Sequence, residues 1–136
     1  MIRQIVTDTA FLSQRSEPAA PFDRTVGQDL LDTLRANQDR CVGLAANMIG
    51  AARRVIAVSD EGRLQVFYNP EITRSSRPYE AEEGCLSLPG TRRVTRYACI
   101  RLRWQDERGA PHEQAFLGRT AQIIQHECDH CEGILV

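Results

Sequence analysis

Near the end of the 136-residue chain, "QHECDHCEG" sets His126, Glu127 and His130 in the pattern H-E-x-x-H. At about 100° per residue, histidines four apart differ by about 40° around a helix axis, so both rings reach one cation. Glu127 lies about 60° from His130 on the same side. One face then carries two neutral nitrogen ligands and a carboxylate base, the parts of a metal-assisted catalytic site.

Catalytic centres of this kind usually take three protein ligands and leave one position to water. The candidates for the third are Cys85, His112, Cys128, Cys131, Glu132 and carboxylates elsewhere. Cys128 falls about 200° from His126, and Cys131 about 100° from His130, so neither aims at a shared ion. His112 sits in the turn "GAPHEQ", where a polar exposed histidine needs no further account. Cys85 sits in "EEGCLSLPG", where Gly84 permits unusual backbone angles and close approach, and it is the preferred third ligand. A closed structural site, with Cys128 or Cys131 as fourth ligand, is the competing arrangement.

Elements must exist to position these groups. Val26, Leu30, Leu31 and Leu34 recur at helical spacing, which predicts a helix from about Asp23 to Asn37 with Asp29, Asp32 and Arg35 on its wet face. "SQRSEPAAPFDR" before it reads as a loosely structured connection. "RVIAVS" and "LQVFYNP" read as strands joined through "DEGR", and "YACIRLRWQD" alternates Ala98, Ile100, Leu102 and Trp104 with Arg101 and Arg103 as a half-buried strand does. "EQAFLG" adds a strand after the turn "DERGAPH", and "RTAQIIQHECDHCEG" reads as the closing helix, stopped at Gly133. The order predicts an α+β fold, with antiparallel sheets packed around a C-terminal HExxH helix and a helix near the N-terminus.

Seventeen Lys plus Arg against eighteen Asp plus Glu argue against a polyanion-binding surface as the main business, and no nucleic-acid binding is expected. The N-terminal stretch has no uninterrupted apolar run of signal-peptide type and nothing reaches the length of a membrane span, so a cytoplasmic protein without membrane partners is expected. Five cysteines (41, 85, 99, 128 and 131), odd in number and irregular in spacing, fit reduced thiols better than a disulfide framework.

Three stretches, "CVGLAANMIG" (41–50), "EGCLSLPG" (83–90) and "IIQHECDHCEGIL" (123–135), resemble in order the three signature motifs of peptide deformylases. The resemblance implies a single catalytic domain over 1–136 that hydrolyses the N-formyl group of N-formylmethionyl peptides and releases formate. It implies that Cys85, His126 and His130 hold one divalent ion, Fe²⁺ in the typical native enzyme and Zn²⁺ or Ni²⁺ in some preparations. Water activated by that ion attacks, and Glu127 acts as general acid and base. The Leu86 N–H and a first-motif glutamine share the developing negative charge on the formyl oxygen, Val42 and Gly43 pair with the extended substrate, and Arg92 falls near a substrate-contacting arginine. Ile123 and Ile124 line the methionine pocket or join the core. Gln125 and Asp129 orient the imidazoles or lie on the exposed helix face.

Two positions depart from the pattern: Cys41 stands at its first glycine, and Met48 at its glutamine. A thioether has no hydrogen to donate. An impaired relative that binds formyl-peptides, or one acting on a different N-acyl substrate, is the alternative. Ribosome-associated nascent chains are expected partners, although the segment that deformylases commonly carry beyond the metal helix for docking is not seen before Val136.

Overall fold

A computed structural model describes residues 1–20 and 23–136. Its elements are α1 (Thr9–Leu12), α2 (Arg24–Ala36), β1 (Gly43–Ala45), a 3-10 turn (Ala46–Ile49), β2 (Val55–Asp60), β3 (Arg63–Cys85), β4 (Leu88–Gln105), β5 (Pro111–Leu117) and α3 (Gly118–Cys131). The predicted connection before α2 includes Pro21 and Phe22, which lie outside the described residues.

The strands form one antiparallel sheet in the order β1-β2-β3-β4-β5, because each is joined to the next by a short connection. Val55 to Val58 are buried consecutively, since β2 packs against both α2 and α3. The β2–β3 connection is two residues, Glu61 at φ 51° and Gly62 at φ 86°, the left-handed pair that matches the twist of a tight hairpin. Phe67, Trp104 and Phe116 build the aromatic part of the core, with the Phe67 and Trp104 centroids 4.9 Å apart edge to face.

Helix α2 begins one residue after the expected boundary, with Asp23 as its cap, and buries Leu30 and Leu34 fully. Asp29, expected on the wet face, is buried instead. The N-terminal segment lies along that face, with Arg3 Nε donating to Asp29 at 2.9 Å and the Arg3 N–H donating to Thr33 Oγ1 at 2.9 Å.

The largest departure from the sequence pattern is the β3–β4 hairpin. Its ladder runs from Tyr68↔Gln105 to Cys85↔Leu88 with three register shifts, so "EEGCLSLPG" is the tip of a long ribbon rather than an isolated loop. Residues 73–78 are exposed throughout, and a ribbon wet on both faces leaves no alternation to read. The ribbon tip brings Cys85 over α3. Among the described residues, no helix is long and apolar enough to cross a membrane.

Candidate active site

Helix α3 buries its functional face: His126, Glu127 and His130 are all under a tenth exposed, and Ile124 beneath them is fully buried. Cys85 arrives from the tip of β3, where the Leu86–Ser87 connection reverses the chain and leaves the Leu86 N–H outside the ladder. The Cys85 sulfur lies 3.3 Å from His130 Nε2, which is 3.1 Å from His126 Nε2, and the three ligand atoms lie within 4.8 Å of one another. Tetrahedral bonds of about 2.0–2.3 Å give ligand edges of about 3.3–3.6 Å. A soft sulfur and two imidazole nitrogens thus converge closely enough to share one divalent ion.

Glu83 orients this set, and it did not stand out in the sequence. His126 Nδ1 lies 2.8 Å from Glu83 Oε1, Arg96 donates to both oxygens of Glu83 from Nε and to Oε1 from Nη2 at 2.7 Å, and Gln122 donates to Oε2 at 2.9 Å. The signal was present: strand residues two apart share a face, which puts Glu83 on the same side of β3 as Cys85. Burial opposes the Glu83 charge, but hydrogen bonds from His126, Arg96 and Gln122 outweigh it and hold the carboxyl at about 2. Burial likewise opposes charge on His126, yet hydrogen bonds to the Cys85 sulfur and to Glu83 raise it to about 10. For His130, burial and the neighbouring His126 act together and push it down to about 3.

Asp129 and Gln125 take other roles than orienting imidazoles. Asp129 accepts from Arg96 Nη1 at 2.7 Å, and Gln125 exchanges hydrogen bonds with the backbone N–H and C=O of Tyr97, both at 2.8 Å. Both residues therefore anchor α3 to β4. Arg96 is the hub, buried between Glu83 and Asp129. Arg96→Met is expected to cost about 3 kcal/mol in denaturant unfolding, because it leaves the buried Glu83 carboxylate without its guanidinium partner.

A cavity of about 610 Å³ opens in front of Cys85 and His126, and Cys41, Val42, Gly43, Leu86, Ile123 and Glu127 are among its walls. Glu127 Oε1 is buried without a hydrogen-bond partner among the described residues, and burial raises this carboxyl to about 7. Gly43 is what lets Glu127 come so close. A Cβ there would meet Glu127 Oε2 at 2.7 Å and Ile123 Cγ2 at 2.8 Å. Gly43→Ala is therefore expected to fold but to lose tenfold or more in kcat, about the cost of displacing a catalytic group by a fraction of an ångström.

Of the remaining sequence candidates, Ile123 lines the cavity and Ile124 is core. Arg92 stands opposite Glu83 in the β3–β4 ladder, outside the cavity lining. His112 stacks on Trp104 and lies 2.9 Å from Asp106, Cys128 and Cys131 are buried thiols, and Glu132 pairs with Arg54 at 2.6 Å; none of them belongs to the converging set. Cys41 donates from Sγ to the Gly43 carbonyl at 2.8 Å, and burial, reinforced by the Glu127 charge, pushes its thiol up to about 12. Met48 is 1% exposed at the cavity wall, its sulfur accepting the Ala45 N–H at 3.4 Å.

An HExxH helix and a hairpin-borne cysteine converging beside a buried carboxylate define a metal-dependent hydrolase of α+β architecture. The family model described as polypeptide deformylase matches residues 2–136. The peptide deformylase of Clostridium beijerinckii is 48% identical over 136 residues, covering all of both chains. That of Pseudothermotoga lettingae is 41% identical over 110 residues, 79% of this chain and 63% of that one. The crystal structure of peptide deformylase from Thermotoga maritima superposes with a TM-score of 0.90 at 29% identity, covering 99% of this chain and 95% of that one. The chain belongs to the polypeptide deformylase family, and its activity is hydrolytic deformylation of polypeptide N-termini.

Proposed function

We propose that Cys85, His126 and His130 hold one divalent ion, Fe²⁺ in the cell, and that the substrates are N-formylmethionyl peptides of newly made chains in the cytoplasm. The observation that carries this reading is the convergence of Cys85, His126 and His130 beside a cavity walled by Glu127, whose Oε1 has no hydrogen-bond partner among the described residues. When bound, the ion supplies Lewis acidity that acidifies water and polarises a carbonyl.

The chain's own residues do the rest. Glu83 fixes the His126 ring through Nδ1, leaving Nε2 to point at the shared centre. Glu127 takes a proton from the attacking water as its oxygen bonds to the formyl carbon, then gives it to the departing nitrogen as the C–N bond breaks. The products are formate and a free amine. The Leu86 N–H, free of the ladder, donates to the formyl oxygen as negative charge grows there. Val42 and Gly43 present the backbone of the sheet's edge strand to the extended peptide. Ile123 at the cavity wall contacts the methionine side chain.

The test is formate release from N-formyl-Met-Ala-amide by protein loaded anaerobically with Fe²⁺, then stripped by a chelator and reloaded. Turnover lost on stripping and regained on reloading is expected. Turnover indifferent to the metal would overturn the assignment.

A further inference from the structure

Two buried atoms of complementary hydrogen-bonding character stand beside the third ligand. His130 is fully buried, and its Nδ1 has no hydrogen-bond partner among the described residues. Asn47 is 2% exposed, and its Oδ1 has none among them either. Bulk solvent does not reach either residue, so each atom weighs against stability for as long as it stays unpaired. The two residues already touch. Asn47 Nδ2 donates to the His130 carbonyl at 2.9 Å, and no other side chain among the described residues bonds to the His130 backbone. That bond fixes which way the amide faces, since the reversed amide would set oxygen against oxygen. Oδ1 is therefore the free acceptor, docked on the backbone of the residue whose ring lacks a partner. Nδ1 is the imidazole nitrogen nearer that backbone.

The turn that carries Asn47 is pinned. Gly50 closes it in the left-handed region at φ 89°, its N–H donating to the Asn47 carbonyl at 3.1 Å, and the Val6 N–H donates to the Met48 carbonyl at 2.8 Å. The chemistry of the two histidines then asks for the same support twice. A neutral imidazole that gives Nε2 to a cation keeps its proton on Nδ1, and that buried N–H needs an acceptor. His126 finds Glu83 Oε1 at 2.8 Å. For His130 the amide oxygen of Asn47 is the acceptor at hand. Ser16 Oγ and Ser87 Oγ are also buried without partners among the described residues, but neither side chain is bonded to His130.

We propose that Asn47 is the positioning residue for His130: its Oδ1 accepts the ring Nδ1–H when Nε2 binds the ion, as Glu83 does for His126. This role rests on the metal-site reading above, and the experiment separates the two. Zinc, which is diamagnetic, is the probe. In the zinc-loaded chain with isotopically labelled histidine, each of the two rings is expected to show an Nδ1–H resonance that exchanges slowly with water. The His130 resonance should move or vanish in Asn47→Ala and stay in place in Ser16→Ala and Ser87→Ala. The zinc dissociation constant, measured by competition with a chelator, should rise about tenfold in Asn47→Ala. Asn47→Asp keeps an acceptor and loses the donor to the His130 carbonyl, so it should keep the resonance and bind zinc within a fewfold of the wild type. Asn47→Asp binding zinc as weakly as Asn47→Ala would reduce Asn47 to a structural support and overturn the role. So would a His130 resonance missing from the wild type, which decides the matter even if Asn47→Ala does not fold, or one that moves in a serine variant and not in Asn47→Ala. A wild-type chain that binds no zinc would overturn the metal site and the role together.

Discussion

Glu127→Gln is expected to lower kcat for formate release about a thousandfold, within the range for losing a general acid and base, while the protein stays at least as stable as before. The two halves of this expectation share one cause. Glu127 is 4% exposed, and its Oε1 has no hydrogen-bond partner among the described residues, so the folded chain carries an unsatisfied carboxyl that helps catalysis and not stability. An amide of the same shape removes the buried charge and the proton-carrying oxygen together. Steady-state rates on protein of matched metal content, with thermal melts alongside, check both halves. A variant that keeps wild-type kcat would show that another group moves the proton, and one that unfolds would show that Glu127 is structural.

Met48→Gln is expected to raise kcat about a hundredfold with little change in KM. Removing a donor aimed at a developing oxyanion costs about 3 kcal/mol in comparable sites, and this chain has a thioether where such a donor would sit. The backbone is ready for the exchange. Met48 lies in the 3-10 turn after β1, and its sulfur accepts the Ala45 N–H at 3.4 Å. A glutamine carbonyl can take that N–H in its place and turn the amide NH₂ to the cavity, as a side chain at this position of a capping box does. The new bond strengthens as charge grows on the formyl oxygen, so its effect falls on kcat. An unchanged kcat would mean that the present enzyme already holds the oxygen by another group.

The converging set was legible in the sequence because it follows from local geometry. Helical spacing alone puts His126, Glu127 and His130 on one face, and the glycine before Cys85 marks a backbone able to approach them. What that spacing could not reveal is how Cys85 gets there. Residues 73–78 are exposed on both faces of the β3–β4 ribbon, so no apolar alternation announces the strand that delivers the cysteine. Arg96 was hidden for a similar reason. Its role depends on Glu83 and Asp129, 13 and 33 residues away in the chain, and an arginine in a strand gives no local sign that it will be buried between two carboxylates. Asp29 shows the same limit in α2, where the helix pattern assigns it to water and the N-terminal segment then covers it.

Cys85 from β3 and His126 and His130 from α3 are the three protein ligands proposed for a single divalent ion. X-ray absorption at the metal edge of protein loaded with one equivalent of Fe²⁺ tests this ligand set directly. The predicted spectrum has one sulfur at about 2.3 Å and two imidazole nitrogens at about 2.0–2.1 Å, with the sulfur contribution lost in Cys85→Ser. Two sulfurs, drawing in Cys128 or Cys131, or a spectrum unchanged by Cys85→Ser, would contradict it.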